Sequence, residues 1–428
     1  MAYTGATTGY AAGEQTNTSP VDYALETTYN TAPGGTYQRL RITGESLAVQ
    51  DGTSTPDEIN DLPEDAETVL TSRSVSGSVN GALSYGTYDD FLAAILGNDW
   101  MAAPAAANAP IVVAAGNSVQ ISYGQSANSG QDALWSHTTA ATAGNVFATW
   151  PATGIVRVTD AANKIDVFAA YQSIKTGGTT LLFAPGAFSS VYTAIANMGS
   201  SNAQTADLSV GATITLVDIV NAKLGKTFTF RKKLSGKFQH FTGCMISQVQ
   251  IQLQKGQPPT VQIDVVGSDM AVSTVDISGS VKGATASPLM DTVVGFLGCT
   301  IFGSAPAGCV QSATITLARN NSGQDTGMGH VGACGVQLGS LKASMDIEYF
   351  FKDFTEFTAW QAGKKGAVSV SIKGADGYGY QFTLLNGRIF NPKNPISGKN
   401  ATIVTTVSVT GNRLPNGGTV VINRIVPS

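Results

Sequence analysis

The chain has 428 residues, of which 43% are hydrophobic and only 13% charged, with 48 glycines and a net charge of −4 from 25 basic and 29 acidic residues. Charge is about half the roughly 25% usual for soluble domains, and without a basic excess a dedicated nucleic-acid or anionic-membrane binder is excluded. A sparsely charged chain rich in Gly, Ser and Thr can still bury a full core, reads as β-rich, and needs much of its surface covered, self-assembly being the simplest cover.

Cys244, Cys299, Cys309 and Cys334 contain no C-x-x-C pair and make no disulfide framework. The opening MAYTGATTGY lacks the basic and apolar regions of a secretory signal, so synthesis and retention in the cytoplasm until lysis is expected. The most apolar stretch, Met101–Ala115, is broken by Pro104 and Pro110 and is too short to span a bilayer.

Along the chain, Gln38–Val49 and Val69–Tyr85 are partly alternating runs of β-branched and small residues, which predicts two long strands. Between them, Gln50–Thr68 carries Asp51, Asp57, Glu58, Asp61, Glu64, Asp65 and Glu67 and no basic residue, and is expected to be a long acidic loop. The period then changes. Tyr88, Phe91, Leu92, Ile95 and Leu96 fall on one helical face, with Thr87 as N-cap, Asp89 and Asp90 at the positive end and Gly97 as the stop. This predicts a short amphipathic helix packed on a sheet.

The unit recurs. Ser74–Gly97 and Ser340–Gly363 are both 24 residues long and keep a strand, a cap (Thr87, Asp353), an aromatic (Tyr88, Phe354), an acid (Asp90, Glu356), a Phe (Phe91, Phe357) and a terminal Gly at matching positions. Downstream, Phe238-x-x-Phe241-x-Gly243 corresponds to Phe382-x-x-Leu385-x-Gly387, and upstream Gln38–Leu47 corresponds to Gln311–Asn320. Two spacings kept with little identity point to an old internal duplication. The expected organisation is a discontinuous first unit (1–97 and 226–270), an inserted β-domain (98–225), a connector (271–308) and a second unit (309–428). Within the insertion, strands are predicted at Ser118–Tyr123, Asn145–Ala148, Gly154–Thr159, Ile165–Ala169, Thr180–Phe183 and Gly211–Val217.

Chemistry is sparse. His137, His240 and His330 form no H-x-x-x-H, H-E-x-x-H or Cys/His spacing, so neither metal nor cofactor is expected. No G-x-S-x-G elbow or Ser/His/Asp set occurs, and His330 with Cys334 lies in a glycine-rich loop, Gly323–Gly335, that lacks the phosphate-binding pattern. The adjacent Asp89 and Asp90 point in different directions on a helix and read as helix-start acids rather than a catalytic pair. No enzyme is expected. Arg231, Lys232 and Lys233 with Lys237 form the one basic cluster, expected in a hairpin turn that is either solvated or in contact with an acidic surface of a neighbouring subunit.

The ordered set QRLRITGESL (Gln38–Leu47), SVSGSVNGALSYGTYDDFLAAILGNDW (Ser74–Trp100) and a late FxxFxG strand before a long hairpin resembles the tail tube proteins of long-tailed bacteriophages. The resemblance covers most of the chain outside the insertion. It implies a mainly β fold of two tandem sandwich-like units, each with one helix, assembling as stacked rings in the virion tail. Two units per chain imply three chains per ring. Implied partners are further copies of the chain, a tape measure protein in the lumen, tail terminator and distal tail proteins, and passing double-stranded DNA that is not specifically bound. Tyr88, Phe91, Leu92, Ile95, Phe354 and Phe357 are then expected to pack the helices on their sheets, and the acidic loop to contact the next ring. The rival reading is a decoration protein or adhesin whose inserted domain binds a host-surface glycan or the capsid. A glycanase needs two converging carboxylates, whereas the acids here cluster in one loop.

Overall fold

The computed structural model describes residues 13–57, 59, 64–100, 111–115, 117–123, 131–138, 147–148, 150, 154–163, 165–175, 178–183, 187–188, 204–320, 322–396, 398–414 and 418–427. The fold is mainly β, with two α-helices among the described residues, α1 (Asp89–Leu96) and α2 (Thr355–Gln361). Neither is long enough to cross a membrane.

Two long strands, Lys237–Gln254 and Gly379–Lys393, organise the molecule. Each serves two sheets. The near half of the first pairs with Phe228–Leu234 and Asp269–Ser273, and its far half pairs with Thr260–Gly267 and Val310–Asn320. The second behaves similarly: its near half pairs with Lys365–Lys373 and Val420–Ile425, its far half with Val404–Asn412. In the first, the strand leaves one sheet for the other around Gly243, whose φ is +61° and where a Cβ would stand 2.8 Å from the Ser268 Cβ, so a side chain cannot fit. The core of the two sandwiches is continuous, from Val75, Phe91 and Phe230 through Ile251 and Ile315 to Ile347, Phe382 and Val409.

The predicted strand Gln38–Val49 is broken into Thr36–Arg39, Gly44–Glu45 and Ala48–Ser54. The gap follows from Arg41. Its guanidinium leaves the sheet to donate to the Ser287 carbonyl (2.6 Å), while its own carbonyl accepts the Tyr88 hydroxyl (2.8 Å) and so ties α1 down. The expected acidic loop is shorter than Gln50–Thr68, because Ala48–Ser54 pairs with Val69–Ser76 and Gln50–Ser54 therefore belongs to a hairpin arm.

Helix α1 is buried all round: Phe91 through Leu96 are inaccessible, and the Tyr23, Phe228 and Phe230 rings lie 4.6–5.8 Å from the Phe91 ring. Gly97 closes it in the left-handed conformation (φ +65°). Tyr88, not Thr87, occupies the N-cap, and the Thr87 hydroxyl instead pairs with those of Ser84 and Thr285. Helix α2 differs. Asp353 accepts the Thr355 N–H (3.0 Å) and Gly363 has φ +61°, but the only buried helix residue is Glu356. Phe354 does not pack on the sheet as expected: it is 61% exposed, held edge-on between Phe351 and the half-buried Phe357.

The described residues of 111–216 carry a separate sheet of eight strands, ordered Gln204–Asp207, Asn117–Tyr123, Asp132–Thr138, Thr180–Phe183, Ile165–Ile174, Gly154–Asp160, Thr213–Leu216, Ile111–Val112. It has its own core, including Ile121, Leu134, Phe147, Phe183 and Ile214. Of the predicted strand Asn145–Ala148, Asn145 and Val146 lie outside the described residues, and Phe147 and Ala148 form a turn. His137 falls in a strand rather than a loop. Ile155, Phe168 and Val217 of this region pack on Leu385 and Val421, and Arg157 donates to Gln381 (3.0 Å), which seats it on the sheet containing Val420–Ile425.

Phe91→Ala removes the ring around which three others are arranged. We expect the unassembled chain to lose about 3–5 kcal/mol in urea denaturation; a loss under about 1 kcal/mol would contradict the central place given to α1.

Candidate functional site

One sheet runs without interruption through both halves of the chain. Its eight strands are, in order, Ala48–Ser54, Val69–Ala82, Thr260–Gly267, the far half of Lys237–Gln254, Val310–Asn320, Ser340–Phe350, Val404–Asn412 and the far half of Gly379–Lys393. Within this sheet the halves join where Gln248–Gln254 pairs with Ser312–Ala318.

Because side chains alternate along a strand, the buried Val249, Ile251, Leu253, Ile315, Leu317, Met345, Ile347, Val407 and Val409 put their neighbours on the opposite face. That face is a polar array in register. One row reads Asn80, Gln262, Gln250, Thr316, Ser344, Thr410, and the next reads Thr260, Gln252, Thr314, Asp346, Ser408. A third reads Gln254, Ser312, Glu348, Thr406. The side chains satisfy one another: Gln252 donates to Gln250 (3.2 Å), Gln250 to Thr316 (3.4 Å), Gln262 to Asp264 (2.9 Å), and Ser312 and Thr406 to Glu348 (2.8 and 3.4 Å). Charge on this face is sparse and balanced, with Asp264, Asp346 and Glu348 against Lys342, Arg388 and Lys393. A shallow hollow of about 190 Å³ lies between Thr43, Asn80, Gln250 and Gln262.

Sequence reasoning passed over these residues, although the alternation QVQIQLQ (Gln248–Gln254) marks one face as apolar and the other as glutamine.

The basic cluster is split by the structure. Arg231, Lys232 and Lys233 lie in the strand Phe228–Leu234, and the turn is only Ser235–Gly236, both with positive φ. Arg231 is buried and bonds Asp22 (2.6 Å) and Asp276 (2.5 Å), and Asp22 also takes Arg39 (3.0 Å). Against the cost of burial, the Ser278 hydroxyl and N–H, and after them Arg231, hold the Asp276 carboxyl below its ordinary range. Lys232 pairs with Glu45 (2.7 Å), so only Lys233 and Lys237 face outward. Within the acidic segment, Asp51 is a strand residue paired with Arg73 (2.8 Å); Asp57, Glu64, Asp65 and Glu67 are exposed near the tip; Glu58 and Asp61 lie outside the described residues. Tyr88, Phe91, Leu92 and Ile95 all reach the core.

Burial lowers the affinity of His240 for a proton, with Arg231 adding to the effect, and burial pushes the Cys299 thiol up to about 12. His330 and Cys334 are exposed in their loop, and among the described residues no three His, Cys, Asp or Glu side chains converge as a metal site.

A family model described as phage tail tube protein matches residues 16–411. The curated proteins contain no match.

A polar face so close to neutral has little hold on a polyanion. Asp264→Lys with Asp346→Lys should leave the fold intact, since both are outside the core, and should create duplex-DNA binding that weakens steeply between 50 and 200 mM salt in fluorescence anisotropy. Equal binding before and after the substitutions would show that the face does not govern contact with DNA.

Proposed function

The chain belongs to the phage tail tube protein family, structural proteins of the virion tail, and from that premise we propose that three chains close into a ring, that rings stack into the tube, and that the polar sheet face lines a channel through which double-stranded DNA passes without being specifically bound. One observation carries the reading. The sheet's outermost strands, Ala48–Ser54 at one end and Ile389–Lys393 at the other, each pair on one side only. Such edges are a liability that closure removes.

The internal duplication sets the number. Val21–Leu25, Phe228–Leu234, Lys237–Gln254 and Asp269–Ser273 are bonded in the same succession as Phe296–Ile301, Lys365–Lys373, Gly379–Lys393 and Val420–Ile425. The seam between halves is then the template for the seam between chains, and six half-units make the ring. Roughly 24 strands at about 4.8 Å spacing and about 40° tilt give a circumference near 150 Å and a backbone diameter near 48 Å, ample for a duplex after inward side chains are subtracted.

The domain at 98–225 sits on the sheet opposite the polar face and takes the tube exterior. The hairpin Ala48–Ala82, with its acidic tip, projects toward the next ring. A tape measure protein in the channel, and terminator and distal proteins at the tube ends, are the further partners that the family membership supports.

Native mass spectrometry of rings released from the polymer should give three chains of 44.1 kDa each. Rings of six full chains would overturn the stoichiometry.

A further inference from the structure

The internal duplication leaves one of two equivalent surfaces filled and the other empty. In the filled one, the hairpin tip between Lys365–Lys373 and Gly379–Lys393 docks at the start of α1. Tyr378 and Tyr380 lie against Tyr85 at 5.0 and 5.3 Å, the Gly86 N–H donates to the Tyr380 hydroxyl (2.8 Å), and Asp89 accepts from Tyr380 and from Arg424 (2.8 Å). Arg424 lies 4.2 Å from the centre of the Trp100 ring. The second half thus grips the first through a hairpin tip, a cation, aromatic rings and one carboxylate.

The corresponding surface of the second half precedes and includes α2. Phe351 stands where Tyr85 does, Phe354 where Tyr88 does, and Gly363 where Gly97 does. The carboxylate and the indole come from other positions than in the filled surface: Thr355 stands where Asp89 does and Gly366 where Trp100 does, but Asp353, two residues before Thr355, is exposed, and Phe354 and Trp360 are 61% and 41% exposed. The hairpin corresponding to the docked one is Phe228–Leu234 with Lys237–Gln254, and its turn exposes Lys233, Ser235, Gly236 and Lys237. Beside it Val272 and Val275 are 55% and 66% exposed. Each surface lacks what the other offers, cations and aliphatic groups against a carboxylate and aromatic rings.

We propose that the Lys233–Lys237 turn of a second copy of this chain seats on the Phe351–Trp360 surface, with its lysines on Asp353 and over the Phe351 and Phe354 rings, and its Val272–Val275 segment against Trp360. This contact rests on the three-chain ring. It is lateral, between neighbours in one ring, and it gives α2 a cover equivalent to the one α1 already has.

The test uses the full chain with the exposed Cys309 and Cys334 replaced by Ser, carrying Ser235→Cys and, beside the retained Asp353, Lys352→Cys. After assembly and mild oxidation, a non-reducing gel should show linked dimers and trimers and nothing larger, while electron microscopy of the same sample shows rings. Rings without cross-links would overturn this contact and leave the ring intact; a chain that assembles into nothing, in its unmodified form, would overturn both. In a second arm, Lys233→Glu with Lys237→Glu should raise the concentration for half-assembly about tenfold with unchanged circular dichroism, and Asp353→Lys should restore it. Unchanged assembly in the reversed-charge chain would also count against the contact.

Discussion

A β-strand presents its backbone N–H and C=O groups to both sides, and a sheet that stops leaves one row of them unpaired. In this chain the sheet that crosses both halves stops twice, at Ala48–Ser54 and at Ile389–Lys393. The rest of the architecture is arranged around those two ends. The core lies on one side of the sheet only, the polar rows on the other, and the second pair of sheets, the helices and the additional domain all stand on the core side or beyond it. Nothing among the described residues covers the polar rows, and a polar face needs water rather than protein.

The low charge of the whole sequence has the same origin. Glutamine, serine and threonine hydrogen-bond to one another along and across strands, as Gln252, Gln250 and Thr316 do, and stay wet without creating a strong field. A face of lysines would hold phosphates and a face of carboxylates would repel itself. Some of the least exposed charges are paired inside the chain, Arg231 with Asp22 and Asp276 and the half-buried Arg424 with Asp89, whereas the buried Arg319 donates to the Ile95 and Gly339 carbonyls. Burial raises the Asp89 carboxyl despite its bonds to Tyr380 and Arg424. Burial thus opposes the charge at the junction of the two halves, and the Tyr380 and Arg424 bonds work against that cost.

Much of this was legible in the sequence, where periodicity was strong. The 3.6-residue pattern marked α1, and its closing glycine sits where the sequence places it. Three things were hidden. Arg41 leaves its strand for a carbonyl more than two hundred residues away, a contact no local pattern records. The arms of the acidic hairpin extend into a segment too polar to read as strand, because pairing with Val69–Ser76 overrides propensity there. Phe354 looked like a core residue because it matches Tyr88, but Tyr88 reaches the Arg41 carbonyl inside its own half whereas Phe354 is 61% exposed. The polar rows were visible as QVQIQLQ, but strand register decides which residues stand side by side, and register is long-range information.

The central claim is that the Gln, Ser and Thr rows face a channel. A cryo-electron microscopic reconstruction of the assembled tube tests it most directly. The account predicts threefold rings with density for Gln250, Thr316 and Ser344 on the channel wall and the 98–225 domain on the outside. Those rows packed against a neighbouring chain, or the inserted domain within the channel, would contradict it.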